Sequence, residues 1–273
     1  LLKGLWGPLV VYSSILFDDF VVGCESVMDF LINEDESLED LQCKGLKLIQ
    51  KRKGFRFGID AVLLANFANV KQNSHVIDLG TGTGIIPLLI YAKRMPGRIV
   101  GVEIQEYLVE MAKRSILLNS AESVIEIIEG DIKNLELLGR ATFDSVTTNP
   151  PYTKSNSGIR CESIAKDISR HEILCSLEDV IRAASSLLKP GGDFAMVHKP
   201  ERLIDIACLM REYKIEPKYM QFVHPYPSKK PNILLIRGVK GGGKDLKVMD
   251  PLYVYNCDGK YSDEINRIYG RGE

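Results

Sequence analysis

His75-Val76-Ile77-Asp78-Leu79-Gly80-Thr81-Gly82-Thr83-Gly84 decides the fold. Its first half reads as a buried strand. Three glycines then alternate, and a helical run begins at Ile85-Ile86-Pro87-Leu88-Leu89-Ile90-Tyr91-Ala92. Pro87 is tolerated only in a first helical turn, so the helix starts near Ile85. A glycine-rich turn from strand to helix lets a ligand approach the backbone closely. The spacing is G-x-G-x-G rather than the dinucleotide fingerprint G-x-G-x-x-G, which points to a nucleotide-like ligand other than NAD.

Strand and helix alternate outward from this turn. Expected helices cover 60–68, 85–95, 105–119, 177–188 and 200–213. Expected strands cover 75–79, 98–103, 124–129, 143–148, 193–198, 218–224 and 232–238. Such alternation predicts an α/β fold, Rossmann-like, with a mostly parallel sheet and helices on both faces. The last two strands have only Pro225-Tyr226-Pro227-Ser228-Lys229-Lys230-Pro231 between them, so the seventh strand should run antiparallel. The second strand ends in Glu103, about twenty residues past the glycines, where a carboxylate can accept hydrogen bonds from ribose hydroxyls. The third ends at Gly130-Asp131-Ile132, placed to meet an adenine ring.

The fourth strand, Phe143-Asp144-Ser145-Val146-Thr147-Thr148, runs into Asn149-Pro150-Pro151-Tyr152. The prolines fix φ, supply no N–H and hold Asn149 extended. The Asn149 side-chain oxygen and the Pro150 carbonyl can each accept an N–H from a planar amino group, while the Tyr152 ring stacks on it. In an open α/β sheet, ligands bind where strand order reverses, at the carboxyl ends of the strands. The two motifs should therefore be neighbours.

Together these residues resemble the class I S-adenosylmethionine-dependent methyltransferases, and more narrowly the N-P-P-Y amino-methyltransferases. Phe55 to Leu64, Ala165 to Glu172 and Val197 to Leu203 extend the resemblance to the bacterial tRNA1(Val) adenine-37 N(6)-methyltransferases, from about Leu41 to the C-terminus. The resemblance implies S-adenosylmethionine as cofactor and tRNA as partner. Asp78, Gly80, Thr81, Gly82 and Gly84 would surround its methionine part, Glu103 its ribose, and Ile104, Asp131 and Ile132 its adenine. Asn149, Pro150, Pro151 and Tyr152 would be catalytic, with Asn149 also beside the cofactor. Arg56, Phe57, Arg170, His171, Lys199, Lys229 and Lys230 are candidate substrate contacts. His198 and Arg202 read as RNA contacts or as part of a structural ion-pair cluster, the latter favoured for His198.

The same motif serves protein glutamine-N(5) methyltransferases acting on release factors, since a carboxamide presents the same planar NH2. Those enzymes carry a longer helical domain ahead of the glycine turn, and fewer than 50 residues separate Met28 from Asp78 here. Guanine-N(2) rRNA methyltransferases are a further alternative, and a non-catalytic RNA-binding protein retaining the fold is one of another class. Intact glycines and an intact Asn149–Tyr152 stretch count against the last.

The chain has 273 residues, 45% apolar and 26% charged, with a formal net charge of −1. That balance fits a globular protein with a sizeable core. Charge is segregated locally: seven acids and no bases lie in 25–40, and six bases and no acids in 44–56. A second basic stretch spans Lys229 to Lys247. Basic patches on a neutral chain can track a phosphate backbone or be ordinary solvated surface. Six scattered cysteines without C-x-x-C spacing suggest reduced thiols and a cytoplasmic protein, and four unpaired histidines suggest no metal. No apolar run is long enough to cross a bilayer, so no membrane partner is expected. The expected organisation is an N-terminal extension over 1–40 that need not belong to the fold, a methyltransferase domain over 41–240, and a tail over 241–273 packing on or near it. Residues 1–27, ahead of the first methionine, are read as an upstream extension or a poorly chosen start.

Overall fold

The computed structural model describes residues 31–53, 58–151 and 175–271. Four parallel strands form the middle of the sheet: β3 (His75–Leu79), β4 (Arg98–Glu103), β5 (Ile125–Glu129) and β6 (Phe143–Thr148). β3, β4 and β6 coincide with the expected strands, because strands covered on both faces are near-continuous apolar runs. Two hydrophobic layers form by simple alternation. Val76 and Ile99 face α1 (Ile59–Phe67), α2 (Ile85–Arg94) and α3 (Glu106–Leu118). Ile77 and Val100 face α4 (Leu177–Leu187) and α5 (Leu203–Glu212) on the other side.

β7 (Leu188–His198) adds in parallel to β6. β9 (Ile233–Lys240) is antiparallel both to β7 and to β8 (Ile215–His224). The order β8-β9-β7-β6-β3-β4-β5 is the seven-stranded arrangement with a reversed last strand. Two short strands, β10 (Lys247–Val248) and β11 (Leu252–Tyr253), extend the sheet to nine by pairing in parallel with β8. A final helix, α6 (Asp263–Ile268), packs against α1 through the buried Ile265. Residues 241–271 thus lie on the domain.

Three local readings differ. β7 begins at Leu188, which pairs with Phe143, and Lys189–Gly192 then pass through an irregularity before Asp193 pairs with Ser145. The expected turn is thus contained within a strand. The helix expected over 200–213 opens with a 3-10 turn at Pro200–Arg202. The third difference concerns the N-terminal side, where β1 (Glu36–Asp40) and β2 (Lys47–Lys51) form an antiparallel hairpin. It is fastened to α3, whose Ser115 hydroxyl accepts from Ile49 N–H at 3.0 Å and whose Asn119 side chain bonds both backbone groups of Lys47. Glu36, 1% exposed, takes a bidentate pair from Arg114 at 2.6 and 2.8 Å. Residues 36–40 are therefore integral to the packed structure, and the boundary expected at 41 falls inside a hairpin. The same hairpin explains the segregated charge. Lys47 pairs with Asp40, and Lys51 with Asp35 and Glu36. Acids and bases that are apart in sequence meet across two strands.

Candidate active site

Parallel register brings the predicted site residues to one edge. Leu79 is level with Thr148 on one side and Val102 on the other, and Glu103 is level with Glu129. Asn149, Gly80, Glu103 and Gly130 consequently follow one another along the carboxyl ends of β6, β3, β4 and β5. Gly80 and Thr81 donate backbone N–H groups to Val102 O at 2.9 Å, and Gly130 N–H donates to Glu103 O at 2.9 Å. Thr148 Oγ1 donates to Leu79 O at 2.9 Å, tying the end of β6 to the end of β3.

The glycine turn needs glycine for conformation more than for space. Gly80, Gly82 and Gly84 have φ of +73°, +56° and +83°, in the left-handed region. A Cβ at Gly80 or Gly82 would meet nothing within 4 Å, so both open onto the crevice. At Gly84 a Cβ would touch Ala112 at 3.4 Å, so that glycine also lets α3 pack closely.

Glu103, 6% exposed, is held by backbone donors. Its Oε2 accepts from Gly82 N–H at 3.0 Å, and its Oε1 from Ile104 and Gln105 N–H at 3.0 Å each. The glycine turn and the end of β4 are thereby one unit. Asp78 is fully buried, and burial pushes its carboxyl up to about 6, opposed by the Thr147 hydroxyl and assisted by the Glu103 charge. Thr147 Oγ1 donates to Asp78 Oδ1 at 2.6 Å, while Asp78 Oδ2 and Thr81 Oγ1 are buried without a hydrogen-bond partner. Among the described residues no lysine or arginine pairs with Asp78 or Glu103. The crevice is therefore built to receive positive charge and hydrogen-bond donors.

Asp131 and Ile132 lie half-buried beyond β5, with Asp131 Oδ1 accepting from Lys133 N–H at 2.9 Å. Ile104 is 38% exposed beside them. Asn149 is half-buried, Pro150 buried and Pro151 exposed. Further along the same edge come Lys199, after β7, and Lys229 and Lys230 in the β8–β9 connection, all exposed. Arg56, Phe57, Tyr152, Arg170 and His171 lie outside the described residues. His198 is buried; burial pushes its imidazole down to about 4, and its Nδ1 accepts from Lys199 N–H at 2.8 Å. Of the second basic stretch, Arg237 is spent over the Tyr219 ring and Lys240 on the Ser185 carbonyl. Sequence reasoning missed Thr147, the partner of Asp78. The pair of threonines in an otherwise buried strand was the available signal.

The strand order and the glycine turn at its reversal point define a Rossmann-like class I methyltransferase fold. A predicted O-methyltransferase from Agrobacterium tumefaciens superposes with a TM-score of 0.63 at 22% identity, covering 77% of this chain and 95% of that one. A family model described as a methyltransferase domain matches residues 70–231. A Porphyromonas gingivalis protein named tRNA1(Val) (adenine(37)-N6)-methyltransferase is 32% identical over 223 residues, 78% of this chain and 86% of that one. An Aeromonas hydrophila protein of the same name is 27% identical, over 80% and 89% of the two chains. The chain belongs to the methyltransferase-domain family and, within it, to the family of the tRNA1(Val) (adenine(37)-N6)-methyltransferases.

Proposed function

We propose that this protein transfers a methyl group from S-adenosylmethionine to the exocyclic N6 of an adenine in tRNA, at position 37 of tRNA1(Val). The carrying observation is the adjacency of Asn149 and the glycine turn at the carboxyl ends of β6 and β3, in a chain of this family. The cofactor suits the crevice: among the described residues Asp78 Oδ2 lacks a partner, Gly80 and Gly82 leave a cradle open, and two carboxylates stand without cations. When bound, it supplies a methyl group on a sulfonium, already a good leaving arrangement.

The protein's task is the nucleophile. An adenine amino nitrogen shares its lone pair with the ring. Accepting both its N–H groups at Asn149 Oδ1 and Pro150 O draws that nitrogen towards tetrahedral geometry and returns the lone pair to it. Asn149, held extended by Pro150, also fixes the direction of attack, and alignment replaces a bimolecular encounter. Tyr152 offers a ring for the base, which must leave its stack. Asp78 and Thr81 orient the methionine part, Glu103 accepts from the ribose hydroxyls, and Ile104, Asp131 and Ile132 flank the adenine. Lys199, Lys229 and Lys230 take phosphates, with Arg56, Phe57, Arg170 and His171 as further RNA contacts. We take the catalytic domain as 36–240, with 241–271 on its β8 edge; the β1–β2 hairpin and the pairing of β10 and β11 with β8 support these bounds. The function is that of a cytoplasmic enzyme. Among the described residues no helix is long and apolar enough to cross a membrane.

The test is methyl transfer from labelled S-adenosylmethionine to unmodified tRNA, followed by nucleoside analysis. N(6)-methyladenosine is the expected product. Asn149→Ala should lower kcat strongly while cofactor affinity holds, and Tyr152→Phe should retain most activity. A different methylated nucleoside, or full activity in Asn149→Ala, removes the adenine mechanism. Labelling of a release factor instead of tRNA assigns the motif to a glutamine.

A further inference from the structure

Four tyrosines from separate stretches of the C-terminal region form one stack. Tyr226 lies in the β8–β9 connection, Tyr255 after β11, Tyr261 before α6 and Tyr269 at its end. Successive ring centroids are 5.2, 5.2 and 5.9 Å apart, with interplanar angles of 29°, 9° and 25°. The Arg271 guanidinium closes the far end, 4.7 Å from the Tyr269 ring centre. Backbone bonds fix the spacing: Tyr255 N–H donates to Pro225 O at 2.9 Å, and Tyr255 and Tyr261 form a bridge. All four rings are half-buried. A core needs apolar area from its aromatics but not a run of four near-parallel faces, since tilted pairs serve it as well.

Tyr226 is the near end of the stack. Among the described residues no other ring stacks on Tyr226. Lys229 and Lys230 follow it in the same connection, exposed and without an ion-pair partner among the described residues. Because β8 is parallel to β7, this connection lies at the carboxyl edge, where Asn149 also sits. Three strand spacings separate β6 from β8, a distance of roughly 14 Å. That is outside the crevice but within reach of an RNA whose target base is inside it.

We propose that Tyr226 is the receiving end of a built stacking platform, which takes an unpaired nucleobase of the RNA substrate while Lys229 and Lys230 meet the adjoining phosphates. This rests on the tRNA reading and adds a second contact beside the catalytic one. Every base has a π face, so the contact is tolerant of sequence, and a ring already fixed in a stack loses little freedom on binding. A half-buried ring at the end of a stack, beside two exposed cations without an ion-pair partner among the described residues, suits a polyanion carrying flat groups.

The experiment titrates unmodified tRNA against the full chain by fluorescence anisotropy at several salt concentrations, alongside methyl-transfer kinetics. Tyr226→Ala should weaken tRNA binding roughly 5- to 30-fold. The loss should appear in KM for tRNA rather than in kcat, with unchanged affinity for S-adenosylmethionine. Tyr226→Phe should bind as wild type does. The Lys229→Ala/Lys230→Ala double variant should reduce the slope of log Kd against log salt by between about 1 and 2, and Tyr226→Ala should leave it intact. Wild-type tRNA affinity in Tyr226→Ala overturns the platform while methylation of tRNA by the wild type keeps the functional reading. If Tyr226→Ala fails to fold, Tyr226→Leu and the salt slope of the lysine variant decide. Wild-type behaviour of both overturns the proposal. If the wild type neither binds nor methylates tRNA, the functional reading falls, and the platform with it.

Discussion

Asp78→Asn should stabilise the protein and abolish cofactor binding. Asp78 is fully buried, with one oxygen accepting from Thr147 at 2.6 Å and the other unpartnered. Its carboxyl sits near 6 in the folded protein against an ordinary 3.8, chiefly through burial. A folded-state value raised above the unfolded one means that between those two values the folded state binds the extra proton. Stability from this group is therefore complete below about pH 4 and declines as pH rises through about 6. At pH 8 keeping the buried carboxylate ionised costs about 3 kcal/mol. An asparagine removes that cost, keeps an acceptor for Thr147 and can donate its NH2 to the unpartnered Thr81 oxygen. Part of the gain is offset by burying the amide, leaving a net of about 1–2 kcal/mol. For a domain of this size that raises Tm by several degrees, roughly 2–4 °C per kcal/mol. The assay is thermal unfolding at pH 5 and pH 8, with and without S-adenosylmethionine. The variant should melt higher than wild type at pH 8, lose most of that advantage at pH 5, and show no upward shift with cofactor. An Asp78→Asn protein that melts lower at pH 8, or that binds cofactor as wild type does, refutes the reasoning.

Glu103→Ala should weaken S-adenosylmethionine binding by about 1.5–3 kcal/mol, read by calorimetry, because a charged acceptor is lost. Wild-type affinity would remove Glu103 from the site. Glu36→Gln should cost about 3 kcal/mol at neutral pH, since it leaves Arg114 without its buried carboxylate. The Arg114 hydrogen bonds hold Glu36 down at about 2 against an ordinary 4.5. That stabilisation is present above pH 4.5 and is lost as pH falls through about 2, so the wild-type advantage in melting temperature should vanish in strong acid. A chain beginning after Asp40 should show the same loss at neutral pH, because it lacks both β1 and Glu36. Unchanged melting in that truncation would put residues 36–40 outside the cooperative fold.

The central sheet was legible because its signals are local. Continuous apolar runs mark β3, β4 and β6 to the residue, and Pro87 after the glycines marks where α2 begins. The adjacency of Gly80 and Asn149 followed from topology, since both end parallel strands. What escaped depends on pairing at a distance. The stretch Glu36–Asp40 reads as a solvated acidic run until Lys47–Lys51 is laid against it. Leu188 reads as a helix end until Phe143 claims it as a strand partner. Thr147 looks like any strand residue until Asp78 is seen to need its hydroxyl. The tyrosine stack is drawn from four separated stretches, and no local pattern announces it.

A formal net charge of −1 conceals an ordered separation along the carboxyl edge. On the β3–β4–β5 side stand Asp78 and Glu103, without a cation paired to them among the described residues. On the β7–β9–β8 side stand Lys199, Lys229 and Lys230, exposed and without an acid paired to them among the described residues. Asn149 lies at the boundary, directly after β6. The first basic stretch of the sequence adds less to this pattern than its six bases suggest, because Lys47 and Lys51 pair with acids within the hairpin. On the function proposed above, a cationic cofactor and a polyanionic substrate are drawn to opposite sides of one crevice and meet at a neutral amide. The two attractions also respond differently to salt. Buried carboxylates are weakly screened, whereas exposed lysines facing phosphates are screened within a Debye length of about 8 Å at physiological ionic strength. Ionic strength therefore acts on substrate capture far more than on cofactor retention. Such a division suits an enzyme that must keep its cofactor in place while a large charged substrate comes and goes.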